Sequence, residues 1–156
     1  MIRALRLEGH AALVTGASRG LGLGFVKALA AAGAEVWAIA ENADELERAC
    51  ATVAGTAPLH PLVADLRRKS DAARVIATVQ QLRPALSVLV NNAAVQPLKS
   101  LSDTDDSTWD AALAVNLTAP FLLTRLAVPL MRASGGSIIN VSAAAGIQGF
   151  ACEASY

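Results

Sequence analysis

Three glycines in the run Thr15-Gly16-Ala17-Ser18-Arg19-Gly20-Leu21-Gly22 are the first residues whose type and spacing could do chemistry. They stand between an apolar stretch at 11–15 and a helical pattern over about 21–32. A helix starting there offers unused N–H groups and the positive end of its dipole, which together hold phosphate. Gly16 is suited to a tight turn, Gly20 to close approach of the backbone to a pyrophosphate, and Gly22 to close packing of the helix. Strand, glycine turn and helix in succession predict nucleotide binding.

The elements that must position this loop follow from the alternation of short apolar runs with helical periodicity. Strands are predicted over 11–15 and 35–40, over a third run framed by Pro58 and Pro61 and ending near 64, and over 87–90 and 138–141. Helices are predicted over 21–32, from Asn42 and Asp44 to about 53, and from Ser70 and Asp71 to about 82, where Pro84 stops the last of these. A long helix over about 106–133 is expected to bend near Pro120 and Pro129 and to end at Ser134, Gly135 and Gly136. The βαβαβαβαβ order, with strands apolar on both faces, predicts a Rossmann-like α/β fold: a doubly wound parallel sheet in three α/β/α layers. Ligands of such sheets gather beyond the carboxyl ends of the strands, where the fourth strand delivers Asn91 and Asn92.

The chain has 156 residues, 54% of them hydrophobic and 17% charged, which predicts a single packed domain over 1–156. Thirteen basic and thirteen acidic residues leave no summed field for a polyanion, and the longest basic run is Arg67-Arg68-Lys69, so no nucleic-acid partner is expected. Arg3, Arg6 and Glu8 break up any signal-peptide core, which predicts a cytoplasmic protein. Asn116 and Arg125 interrupt the apolar stretch at 111–131, so no membrane segment is expected. Cys50 and Cys152 are too few and too isolated for a disulfide framework, and no metal site is expected. His10 and His60 lie far from the candidate residues.

The spacing TGASRGLG resembles the TGxxxGxG loop of the short-chain dehydrogenase/reductase family, and the resemblance extends along the chain from Gly9 onward. Asp65-Leu66 resembles the family's adenine-contacting acidic position, and Asn91-Asn92-Ala93-Ala94 its NNAG motif. Asn116 stands where its helical asparagine belongs, 136–146 resembles its serine strand, and Tyr156 matches the tyrosine of its YxxxK motif. The resemblance implies an oxidoreductase that transfers hydride between NAD or NADP and an alcohol or ketone, and a homo-oligomer when complete. It assigns the cofactor to Gly16, Ser18, Arg19, Gly20, Leu21 and Gly22 of the loop, and to Asp65, Leu66, Asn92, Ala93 and Ala94 beyond it.

NADP differs from NAD by a 2′-phosphate, so the residue after the second strand decides between them. That residue is Glu41, about 20 positions beyond the loop, where a carboxylate accepts from ribose hydroxyls and repels a phosphate. Arg19 points the other way, because a cation in the loop can neutralise a 2′-phosphate. The position of Glu41 favours NAD.

In the family a tyrosine exchanges a proton with the substrate oxygen, a serine hydrogen-bonds that oxygen, a lysine lowers the tyrosine's pKa, and the asparagine supports a proton-relay water. A phenol titrates at about 10, so the ammonium is what makes it a base near neutrality. Tyr156 supplies the phenol, and the lysine position, four residues later, lies past the last residue of the sequence. A C-terminally incomplete copy, inactive by itself, is therefore expected, with a non-catalytic nucleotide-binding or interaction module as the alternative. Counting back thirteen residues from Tyr156 and three from Gly146 both reach Ala143, which has no hydroxyl. Ser142 is adjacent and reaches the site only if a bulge turns it; otherwise it is a strand-end serine bonded to backbone. Ala94, where the family has glycine, is a further departure.

Overall fold

The computed structural model describes residues 6–55, 57–132 and 135–156; the expected roles of Arg3 and Ser134, and the expected helix end at 133, fall outside them. The strands are β1 (Ala11–Thr15), β2 (Glu35–Ala40), β3 (Leu59–Val63), β4 (Val88–Asn91) and β5 (Ser137–Asn140). The helices are α1 (Gly20–Ala31), α2 (Ala43–Cys50), α3 (Lys69–Leu82), α4 (Asp106–Leu113) and α5 (Ala119–Met131). All strand pairs are parallel, in the order β3-β2-β1-β4-β5. The chain starts in the middle of the sheet, builds outward to β3, then returns to the other side of β1. The order therefore reverses between β1 and β4, which is where a ligand crevice opens in such a sheet.

Alternation along the strands builds two apolar layers. Leu13, Trp37, Ile39 and Leu89 face α3 and α5, while Ala12, Val14, Val36, Ala38 and Val90 face α1 and α2. β1 is buried along its whole length, as the expected two-faced apolar strand should be. The edges depart from that expectation: β3 is half-buried and β5 is exposed throughout, with Ile138 and Ile139 on its two faces.

Two further expectations are corrected. Pro61 lies inside β3, opposite Ala38, rather than framing the strand. The Ala64 N–H donates to Ala40 O, so by the alternation of the strand the position of residue 61's missing N–H faces the open edge, where no donor is needed. The long helix is distorted ahead of Pro120, not simply bent at it: residues Ala114–Thr118 form a π-helical turn, with the Ala119 N–H reaching back to Ala114 O. A proline ring clashes with the carbonyl four residues before it, here that of Asn116, and a widened turn relieves the clash. Pro129 sits inside α5 without ending it.

The helix over Asp106–Met131 is long and apolar enough, by length and composition alone, to cross a membrane. Here Ala112, Val115, Ala119, Leu123, Ala127 and Leu130 are buried in the fold, and α5 packs on α3 and β4. The helix starts expected from capping residues divide. Asn42 caps α2, its side chain accepting from the Glu45 N–H at 3.0 Å, whereas α3 begins at Lys69 without a side-chain cap. Leu123→Ala is expected to destabilise the chain by about 2–5 kcal/mol in urea unfolding, and Leu117→Ala on the exposed side by under about 0.5 kcal/mol.

Candidate active site

At the reversal point the carboxyl ends of β1 and β4 are joined through one hydroxyl. The Thr15 side chain is buried, accepts from the N–H groups of Asn92 and Ala93 at 3.0 Å each, and donates to Val90 O at 3.3 Å. The Asn92 amide returns the link, donating to Thr15 O at 3.0 Å and Gly16 O at 3.3 Å. A cleft of about 660 Å³ opens above this junction.

Gly16 follows in the left-handed region at φ +65°, and a Cβ there would meet the Asn92 amide nitrogen at 2.8 Å. A Cβ on Gly22 would lie 2.0 Å from Gly16 O, so only glycine lets the first turn of α1 close onto the loop. That first turn carries neither a side-chain cap nor an acidic residue, unlike α2 and α4. Its N–H groups and dipole are therefore free for an anion.

Of the residues expected to hold a cofactor, Gly16, Ser18, Arg19, Glu41, Asp65, Leu66, Asn92, Ala93 and Ala94 line the cleft. Gly20, Leu21 and Gly22 do not line it; they form the first turn of α1 beside it. The Asp65 carboxylate is engaged by Arg67, whose Nε donates to Oδ1 at 2.8 Å, and that hydrogen bond is the main reason its pKa falls below the ordinary value. Arg67 also donates to Glu41 across the cleft. The Asp65 N–H donates to the Asp71 carboxylate at 2.8 Å, which lowers the Asp71 pKa and ties the start of α3 to the cleft floor.

A second cleft, of about 490 Å³, is lined by Asn116, Ser142 and Tyr156, and it shares Ala93 and Ala94 with the first. The three expected catalytic side chains are thus brought to one place. Asn116 is held by the π-helical turn, and both ends of its amide are used: Oδ1 accepts from the Val95 N–H at 2.9 Å and Nδ2 donates to Val95 O at 2.8 Å. This is no bond to neighbouring helix backbone; it is a clamp on the segment leaving β4. Ser142 is exposed, and both it and Ala143 line the cleft. The last rung of β5 is the Val141 N–H on Asn91 O, so the strict alternation that would turn Ser142 away has ended before it. On the floor the Asn91 amide donates to Asn140 at 2.8 Å and Thr124 at 3.3 Å. Among the described residues no group of three or more His, Cys, Asp or Glu is placed to hold a metal.

Sequence reasoning missed Thr15 and Arg67. A hydroxyl closing the strand just before the first loop glycine was the available signal for the first; Arg67 was legible only as part of a basic run.

A sequence profile described as short chain dehydrogenase matches residues 10–156. The chain belongs to the short chain dehydrogenase family. It is 35% identical to the D-beta-hydroxybutyrate dehydrogenase of Cupriavidus necator, over 96% of this chain and 59% of that protein. It is 38% identical to the trans-4-hydroxycyclohexanecarboxylate dehydrogenase of Sinomonas cyclohexanicum, over 97% of this chain and 61% of that protein. The crystal structure of a metagenomic short-chain oxidoreductase in complex with NADP superposes with a TM-score of 0.88 at 35% identity, covering 96% of this chain and 69% of that one. The chain therefore spans about three-fifths of the length of these curated relatives.

Thr15→Val is expected to orphan two part-buried N–H groups and to destabilise the chain by about 1–3 kcal/mol in urea unfolding, while Thr15→Ser keeps the acceptor and most of the stability. Asp65 and Asp71 have lowered pKa values when folded, so their contribution to stability is present above about pH 4 and is lost as the pH falls further. Asp71→Asn retains an acceptor without a titrating proton, and its stability is expected to fall less steeply below about pH 4.

Proposed function

We propose that this chain carries the nicotinamide-nucleotide site and part of the substrate site of an oxidoreductase acting on an alcohol or its ketone. The observation that carries this reading is that the two clefts meet at Ala93 and Ala94. A dinucleotide lying along the first cleft, with its pyrophosphate at the start of α1, would present its far end to the cleft that holds Tyr156.

The residues fit such a ligand. The bare N-terminus of α1 suits the pyrophosphate, the Glu41 carboxylate the ribose hydroxyls, and the backbone near Asp65 and Leu66 the adenine. When bound, the nicotinamide supplies the hydride acceptor or donor. The chain's own residues manage the proton. In alcohol oxidation the Tyr156 phenolate takes the hydroxyl proton as the carbonyl forms, and in reduction the phenol gives its proton to the carbonyl oxygen. The Ser142 hydroxyl donates a hydrogen bond to that oxygen, in place of the hydroxyl that Ala143 lacks. Asn116 holds the Val95 turn, keeping Ala93 and Ala94 where the clefts join.

Glu41 supports NAD as the preferred cofactor. We extend to the chain a cytoplasmic location and a homo-oligomeric assembly without nucleic-acid or membrane partners. Trp109, Leu113, Leu117 and Phe121, spaced four apart and exposed along one long helix, support a subunit contact.

Calorimetric titration of the purified chain with NAD is expected to show binding; failure of both NAD and NADP to bind would overturn the reading. In the protein that carries this chain, Tyr156→Phe is expected to lower kcat by about 100-fold or more while the KM for cofactor changes by less than about threefold.

A further inference from the structure

We propose that Arg67 is a cofactor-specificity residue, one that makes the ribose end of the cleft tolerant of a 2′-phosphate despite Glu41. The inference rests on the nucleotide-binding reading of the first cleft and concerns which nucleotide that cleft admits.

The charged side chains lining the cleft are Arg19, Glu41, Glu45, Asp65 and Arg67. Three carboxylates thus face two guanidiniums. Without Arg67 the balance would be three against one, and a phosphate dianion beside Glu41 would be repelled. Arg67 bridges two of these carboxylates: its Nε and backbone N–H donate to Asp65 Oδ1, at 2.8 and 3.0 Å, and its terminal nitrogen donates to Glu41. Glu45 is drawn off toward the glycine loop, where it accepts from Ser18.

Two features make the Arg67–Glu41 pair exchangeable. Its side chains are 48% and 63% exposed, so water screens the attraction and little free energy holds the pair together. The grip on Asp65 uses a different nitrogen, so the guanidinium can leave Glu41 while staying anchored at the cleft wall. Released, its fork meets a phosphate with the geometry arginine provides, and Arg19 lines the same cleft. With NAD bound the pair persists, and the second Glu41 oxygen still accepts from the ribose. Arg67 accordingly neutralises Glu41 for one cofactor and ligates the phosphate of the other.

The test is calorimetric titration of the purified chain with 5′-AMP and 2′,5′-ADP, two probes that differ only in the phosphate at issue. Arg67→Gln is expected to weaken 2′,5′-ADP by about tenfold while 5′-AMP changes by less than about twofold, and Arg67→Lys, which keeps the charge, to recover most of the loss. Glu41→Gln is expected to tighten 2′,5′-ADP by about tenfold with Arg67 present and by clearly less in the Arg67→Gln background. An equal loss for both probes in Arg67→Gln would make Arg67 a mere prop for Asp65 and overturn the inference, as would no change for either. Absence of binding of both probes to the unaltered chain would overturn the nucleotide-binding reading itself.

Discussion

The junction between Thr15 and Asn92 is the constraint on which the first cleft depends. A doubly wound sheet opens at its reversal point because successive crossovers leave β1 and β4 in opposite directions, so their carboxyl ends would splay if only the ladder held them. Here one buried hydroxyl takes both N–H groups leaving β4, and one amide takes both carbonyls leaving β1. Four backbone groups at the opening are thereby paired without filling the crevice. The glycine requirement follows from the same junction. The Asn92 amide occupies the space a side chain on Gly16 or Gly22 would need, so the loop's sequence is shaped by a residue about seventy positions away as much as by phosphate.

How much of this was legible in the sequence depends on the range of the interaction concerned. β1 and β2 were readable to the residue, because strands buried on both faces leave an uninterrupted apolar signature. The cap at Asn42 was readable because it involves only its own first turn. Pro61 was misread as a boundary because its tolerance depends on β3 lying at the sheet edge, a property of the strand order that local composition does not carry. The site divides in the same way. The glycine loop has a local signature, whereas the Arg67 link to Glu41 joins positions 26 residues apart, and the Asn116 clamp on Val95 joins positions 21 apart.

The π-helical turn shows how one local rule serves two structural ends. Pro120 forbids a regular helix just where Asn116 must leave the helical pattern and reach Val95. The widened turn lets Val115 and Ala119 stay buried on the core side while the Asn116 amide faces the segment beyond β4. The proline explains the distortion, and the Asn116 clamp makes use of it; irregular turns of this type concentrate at functional sites.

The two clefts differ in how their walls are held, and that difference bears on the missing serine. The first cleft is bounded by β1, β2 and β4, which are almost wholly buried, and by ion pairs and hydrogen bonds that close on one another. The second cleft is bounded on one side by β5, which is exposed, and by the largely exposed segment after it, and the bond of Gln96 to Glu153 at 2.7 Å links that segment to the loop after β4. A hydroxyl fixed at position 143 would be aimed by its place in the chain. Ser142 stands one residue earlier, where regular pairing has already ceased, so the torsions that decide its aim are not set by a ladder. Ser142 and Tyr156 nevertheless line the same cleft, and one further rung of β5 would commit Ser142 to a face of the sheet.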